Sequence, residues 1–289
     1  MNGPTTRLFL SVSARPGRFG ATVYNELFQR HNIDATYIPR RAPASAEHLI
    51  DSIRTLNVAG CSVSAPLKNA VIRYLDEVEE HAKHAAAVNT IVNTDGRLTG
   101  TCTDITGVHH AVGQHQKTSS LSSALIFGAG GVVGPVIIGL QQCGIKEITI
   151  TARKIEAAQD AASRFDVNWS HEPTSHAFDL LVNATPAGRT QNDAPMLYDC
   201  LTHCRTLFDL TVSEAPTHVH ETALASGLTV IDGVTMCAAQ IREQARQYTG
   251  IDFDPNEILS IIRSKYLQAP ASSSQPASMI EPHPQQPTM

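Results

Sequence analysis

The sequence has no apolar run approaching the roughly 18 residues that a membrane span needs, so no transmembrane helix is expected. Its start, MNGPTTRLFLSVSARPG, shows neither a long apolar core nor a small-residue cleavage site, and no signal peptide is read. Excess positive charge is missing too. The formal net charge is -5, too acidic to neutralise a phosphate backbone, which argues against a nucleic-acid partner. The six cysteines (Cys61, Cys102, Cys143, Cys200, Cys204 and Cys237) contain no CxxC pair, so free thiols in a reducing cytoplasm are expected, with neither a disulfide framework nor a zinc site. There is no HExxH, and His109–His110 and His218/His220 read as surface or packing residues rather than metal ligands. No internal repeat of about 20–50 residues is present. What remains is a soluble globular chain of 289 residues, long enough for two domains.

Hydrophobic runs alternate with helical patterns along most of it. RLFLSV (7–12), ATYIP (35–39) and VAGCSVS (58–64) read as strands, separated by amphipathic helices at 21–31 and 46–56. Strands separated by helices of this length indicate crossover connections and a parallel sheet. NTIVNTDGRLTGTC (89–102) breaks the rhythm as a hairpin turning at Asp95-Gly96. A second series begins near Ser122 with a strand that runs into a Gly-rich turn, followed by strands at 147–153, 179–185, 206–212 and 228–232 and helices at 132–144 and 155–165. Helices at 234–250 and 255–267 close the chain before a Pro/Ser/Gln-rich tail, 268–289, expected to be disordered.

SALIFGAGGVVG places Gly128-Ala129-Gly130-Gly131-Val132 between a buried strand and a helix. Such glycines let backbone approach a pyrophosphate, and the helix N-terminus offers it free N–H groups. The pattern departs from GxGxxG, with Val133 where the third glycine would stand. The next strand ends without the carboxylate that a ribose 2′-hydroxyl would need. It offers Arg153 and Lys154 instead, where a 2′-phosphate would sit, which favours NADP over NAD.

On the other side, Ser11 and Ser13 alternate on the first strand and point the same way. Lys68 lies just past the third strand in SVSAPLK, Asn89 lies in AVNTI, and Asp104 in TDITG. Together with GAGG and GVTMCAAQ, in this order and spacing, these segments resemble the shikimate dehydrogenase family across roughly 7–267. The resemblance implies an α/β architecture of an N-terminal substrate domain and a Rossmann-like NADP-binding domain with a parallel sheet, separated by a cleft. Residues 1–103, completed by 238–267, would bind substrate, and 104–237 would bind the cofactor. It further implies NADP-dependent interconversion of shikimate and 3-dehydroshikimate, with Lys68 and Asp104 as the catalytic pair. For Lys68 to act as a base, partial burial would have to lower its pKa. The resemblance puts Ser11 and Ser13 on the substrate carboxylate, and Ser64, Asn89 and Gln240 on the ring hydroxyls. Asn183 and Thr185 would lie along the dinucleotide and Gly233 near the nicotinamide. The family contains monomers and dimers, so a homodimer stays open.

The match to the housekeeping enzyme of that pathway is incomplete. ARPGRFG follows the serines where Pro and a His-Asn pair are usual, a feature resembling the shikimate dehydrogenase-like branch. Cys102 stands at a common Asn position, and Asp209-Leu210-Thr211-Val212 lacks the usual Tyr. A lost hydroxyl in a polar pocket costs roughly ten- to a hundredfold in specificity, so weak activity on shikimate, or a related substrate, is expected. Quinate or aminoshikimate dehydrogenation is the near alternative, with Arg15 either pairing a carboxylate or lying on the surface. A non-catalytic NADPH or metabolite sensor is the distant one, against which the Lys–Asp pair argues.

Overall fold

Successive strand–helix units build two six-stranded sheets in the computed structural model, which describes residues 3–117, 119–190 and 193–267. The tail 268–289 lies outside the described residues.

In the first sheet, β1 (Arg7–Ser13), β2 (Ala35–Arg41) and β3 (Gly60–Val63) run parallel, joined by α1 (Phe19–Arg30) and α2 (Ala46–Thr55). Helix α2 shows why the pattern folds so. Ser45 caps its first turn by accepting from the His48 N–H, and Leu49, Ile50 and Ile53 repeat at helical spacing on the buried face. Short β4 (Glu77–Val78) and α3 (Glu80–His84) precede the hairpin of β5 (Thr90–Thr94) and β6 (Arg97–Thr101). Its turn has φ 52° at Asp95 and 88° at Gly96, the double positive φ of a two-residue hairpin turn. Because β5 pairs antiparallel with β3, this sheet, ordered β2-β1-β3-β5-β6-β4, is mixed rather than parallel throughout.

Helix α4 (Thr103–Gln116) leads to the second sheet. Its members are β7 (Ser123–Phe127), β8 (Glu147–Thr151), β9 (Asn168–Trp169), β10 (Phe178–Asn183), β11 (Cys204–Asp209) and β12 (Thr229–Asp232). They are all parallel, in the order β12-β11-β10-β7-β8-β9. Counted from β7 this is the doubly wound dinucleotide-binding order, whose topological switch lies between the first and fourth strands, here β7 and β10. Helices α5 (Val133–Gln142), α6 (Ile155–Phe165), α7 (Pro195–Leu201) and α8 (His218–Ala225) cover it. The chain closes with α9 (Gly233–Thr249) and α10 (Pro255–Ile261). The helix expected over 255–267 thus ends early, and Ile262–Leu267 continues as π-helical turns.

Each sheet packs apolar side chains on both faces. Two helices join the lobes. In α4, Ile105 enters the core of the first lobe, and Val108, Ala111 and Val112 that of the second. In α9, Met236 belongs to the second core, whereas Ala238, Ile241, Ala245 and Tyr248 belong to the first. The two helices touch at Gly107, where a Cβ would stand 2.8 Å from the Met236 carbonyl oxygen.

Candidate active site

Leaving β3, the chain turns through Ser64-Ala65-Pro66 and brings Lys68 back toward the sheet, its carbonyl accepting from the Val88 N–H at 2.8 Å. Asp104 is the second residue of α4, where unpaired N–H groups and the helix dipole favour a carboxylate. Lys68 Nζ donates to Asp104 Oδ2 at 2.6 Å, with the two side chains only 13% and 4% exposed. Gln240 of α9 donates through Nε2 to Asp104 Oδ1 at 2.9 Å, and the Cys102 thiol lies 3.9 Å from Oδ2. The carboxylate is therefore fixed from three sides. Burial pushes the Lys68 ammonium down, but the Asp104 charge and hydrogen bond outweigh it and hold the group above its ordinary value. This corrects the sequence-based expectation of a lowered lysine; the pair is an ammonium–carboxylate ion pair. Burial and the same carboxylate push the neighbouring Cys237 thiol up to about 12, keeping it protonated.

The remaining residues expected on the substrate side divide. Strand register sets Ser11 of β1 beside Ser62 of β3, and Ser62 opposite Thr90 of β5, so these three hydroxyl residues share one sheet face. Tyr37 of β2 donates to Ser62 Oγ at 2.6 Å. Ser13 ends β1 and Ser64 is exposed on the turn before Lys68. Asn89 is 2% exposed, and its Oδ1 accepts from the Thr103 N–H at 2.9 Å and from Thr90 Oγ1 at 2.8 Å. It thereby ties the start of β5 to the start of α4, one residue before Asp104.

On the opposite lobe, Gly128 has φ +122°, and a Cβ there would stand 2.6 Å from Thr185 Cγ2. Only glycine fits, and the glycine turn and the Asn183–Thr185 segment meet across the β7/β10 switch point. Above Gly130 and Gly131 the space is open, with nothing within 4 Å of where a Cβ would stand, and Val132 directly precedes α5 without a side-chain cap. Arg153 and Lys154, at the end of β8, are exposed and enter no ion pair among the described residues. Open backbone at a helix N-terminus with two unpaired cations beside it fits the diphosphate and 2′-phosphate of NADP. Asn183 is spent locally. Its Nδ2 donates to Ala187 O at 2.9 Å and Asp209 Oδ1 at 3.1 Å, and its Oδ1 accepts from Thr185 Oγ1 at 2.8 Å. Asn183 and Thr185 thus shape the loop rather than presenting free polar groups. Gly233 opens α9, where a Cβ would stand 2.8 Å from both the Leu210 and Thr211 carbonyl oxygens. A groove of about 640 Å³ is lined by Asn69, Ala85 and Ala86 of the first lobe and by Ala129, Gly130 and Gly131 of the second, so the segment that follows Lys68 and the glycine turn border one groove.

Sequence reasoning missed Tyr24, Tyr37, Ser62, Gln244 and Tyr248, which form a buried hydroxyl–amide network beneath the serines. The available signal was the pair Gln240 and Gln244 in AAQIREQ, one helical turn apart on the same face.

A family model described as the shikimate dehydrogenase substrate binding domain matches residues 19–91. Among curated relatives, the NADP(+) shikimate dehydrogenase of Maridesulfovibrio salexigens is 32% identical over 250 residues, covering 84% of this chain and 91% of the relative. A solved shikimate 5-dehydrogenase-like protein superposes with a TM-score of 0.78 at 26% identity, covering 91% of this chain and 100% of that one. Shikimate 5-dehydrogenase from Thermus thermophilus, solved in complex with NADP(H) and shikimate, superposes with a TM-score of 0.77 at 25% identity, over 89% of this chain and 98% of that one.

Proposed function

The chain belongs to the shikimate dehydrogenase family, and from that premise we propose that it is an NADP-dependent oxidoreductase acting on the CH–OH group of shikimate or a close cyclic hydroxy acid. The observation that carries this reading is the buried Lys68–Asp104 ion pair at 2.6 Å, whose lysine directly precedes Asn69 on the groove that the glycine turn also lines. Relatives named for NADP(+) and shikimate, and a neighbour holding both, support it. On this reading, residues 1–103 with 238–267 bind the acid, and 104–237 bind the nucleotide. The side-chain contacts of α9 beyond Met236 support that division, since Ala238, Ile241, Ala245 and Tyr248 all pack in the first lobe. A cytoplasmic location accompanies it.

When bound, NADPH supplies the hydride. The chain does the rest. Lys68, held protonated by Asp104, donates its proton to the oxygen of a carbonyl as that oxygen gains charge, and takes the proton back in the oxidative direction. Asp104, fixed by Gln240 and α4, keeps the ammonium aimed. Ser11 and Ser13 receive the substrate carboxylate, and Arg153 and Lys154 receive the 2′-phosphate.

The test is a panel of initial oxidation rates for shikimate and quinate, each with NADP and NAD. Turnover of shikimate with NADP, at least tenfold above NAD, is expected. Turnover of quinate alone moves the substrate within the class. No turnover in any cell of the panel, with NADPH still bound, overturns the oxidoreductase reading in favour of a sensor.

A further inference from the structure

Gln244 lies one turn beyond Gln240 on α9 and is 4% exposed. Its Oε1 accepts from Tyr24 Oη and from Ser62 Oγ, both at 2.7 Å, and its Nε2 donates to Thr90 Oγ1 at 2.6 Å and toward the Asn89 carbonyl at 3.4 Å. The hydrogens run in one direction through it. Tyr37 donates to Ser62 and Ser62 to the Gln244 oxygen, while the Gln244 nitrogen donates to Thr90 and Thr90 to Asn89 Oδ1. Tyr248 adds a third hydroxyl 3.1 Å from Ser62. Only a primary amide accepts twice at one end and donates twice at the other.

We propose that Gln244 is a positioning residue for the hydroxy-acid pocket, setting the orientation of the Tyr37–Ser62 hydroxyls, beside Ser11 in the sheet, at one end and of the Asn89–Thr90 pair at the other. The inference rests on the functional reading above. Gln244 touches neither Lys68 nor Asp104. Its loss therefore loosens the walls that hold the acid and leaves the proton-transfer pair and the nucleotide site in place.

Steady-state kinetics of the full chain, with Gln244→Leu and Gln244→Glu, separate this from a merely structural role. Gln244→Leu keeps the length but strands four polar partners. We expect its KM for the hydroxy acid to rise about ten- to a hundredfold, with KM for NADP within about threefold of the wild type. Gln244→Glu places a carboxylate oxygen against the Thr90 hydroxyl and the Asn89 carbonyl, and protonation restores one donor there. Its defect relative to wild type should shrink as pH falls from about 9 to about 5.5. The titratable groups facing it from α1, β2 and α9 are Tyr24, Tyr37 and Tyr248. Burial pushes all three up, so they stay neutral over that range. An unchanged acid KM in Gln244→Leu, or equal rises in both KM values, overturns the proposal. If Gln244→Leu does not fold, a pH-independent defect in Gln244→Glu overturns it instead. A wild-type chain inert on every acid removes the functional reading and this role together, whereas an active one with unaffected variants removes only this role.

Discussion

At the residue scale, the chemistry turns on which influence on Lys68 wins. Burial alone would ease proton loss, but a carboxylate at 2.6 Å reverses the sign and keeps the ammonium charged. Carbonyl reduction, which needs the proton on lysine, should be flat across neutral pH. Alcohol oxidation, which needs it off, should rise about tenfold per pH unit through the alkaline range, because the neutral fraction grows that way below the pKa. Replacing Asp104 by Asn removes the upward influence and leaves burial. A pH–rate profile of oxidation should then show its midpoint moved to lower pH, with a lower plateau. An unmoved midpoint would mean that another group carries the proton. The sequence named both partners through their motifs. It did not reveal the sign of the shift, which depends on a distance between residues 36 positions apart. The burial of Gln244 was hidden for a related reason, although its spacing puts it on the same helix face as Gln240. A helical glutamine reads as solvent-facing until Tyr24, Ser62 and Thr90, from three other elements, are seen to surround it.

At the element scale, what was legible had a strong period or strong punctuation. The glycine turn, the Asp95-Gly96 hairpin and α6 over Ile155–Phe165 stand where their patterns place them. Helix α4 does not announce itself, since TDITGVHHAVGQHQ carries two glycines, β-branched residues and histidines, all weak helix formers. Helices α7 and α8, at seven and eight residues, are too short to show a period, and the two-residue strands β4 and β9 have none. Gly107 explains what α4 gives up in propensity, because only a residue without a Cβ lets it close on α9. Gly107→Ala should therefore destabilise the protein by about 1–3 kcal/mol through overpacking against the Met236 backbone. Denaturant unfolding of the two chains measures this. Equal or greater stability in the variant would show that the helices have room to separate.

At the scale of the whole molecule, two of the segments read in the sequence as unlike the housekeeping enzyme, ARPGRFG and the loop after Val212, meet in space. Arg18, from the ARPGRFG segment after β1, donates to Glu214 at 2.6 Å in the loop that follows Val212. Its guanidinium also lies 5.1 Å over the Tyr266 ring, which packs edge-on against Phe19. A loop of the first lobe is thus strapped to a loop of the second, beyond the C-terminal ends of β1 and β11. The ion pair is half exposed, so it contributes little stability and opens readily. No one-dimensional pattern shows that an insertion near residue 15 and a missing tyrosine near residue 212 belong together. Two-lobe assembly sets Asn69, beside Lys68, and the glycine turn on one groove, and Lys68 is the proton partner in the hydride transfer proposed between the lobes. The most direct measurement is NADPH-linked turnover in wild type and Lys68→Met, read beside NADPH affinity from a fluorescence titration. Unchanged NADPH affinity is expected, with turnover lowered by about a hundredfold or more. Turnover within a few-fold of the wild type in Lys68→Met would contradict it.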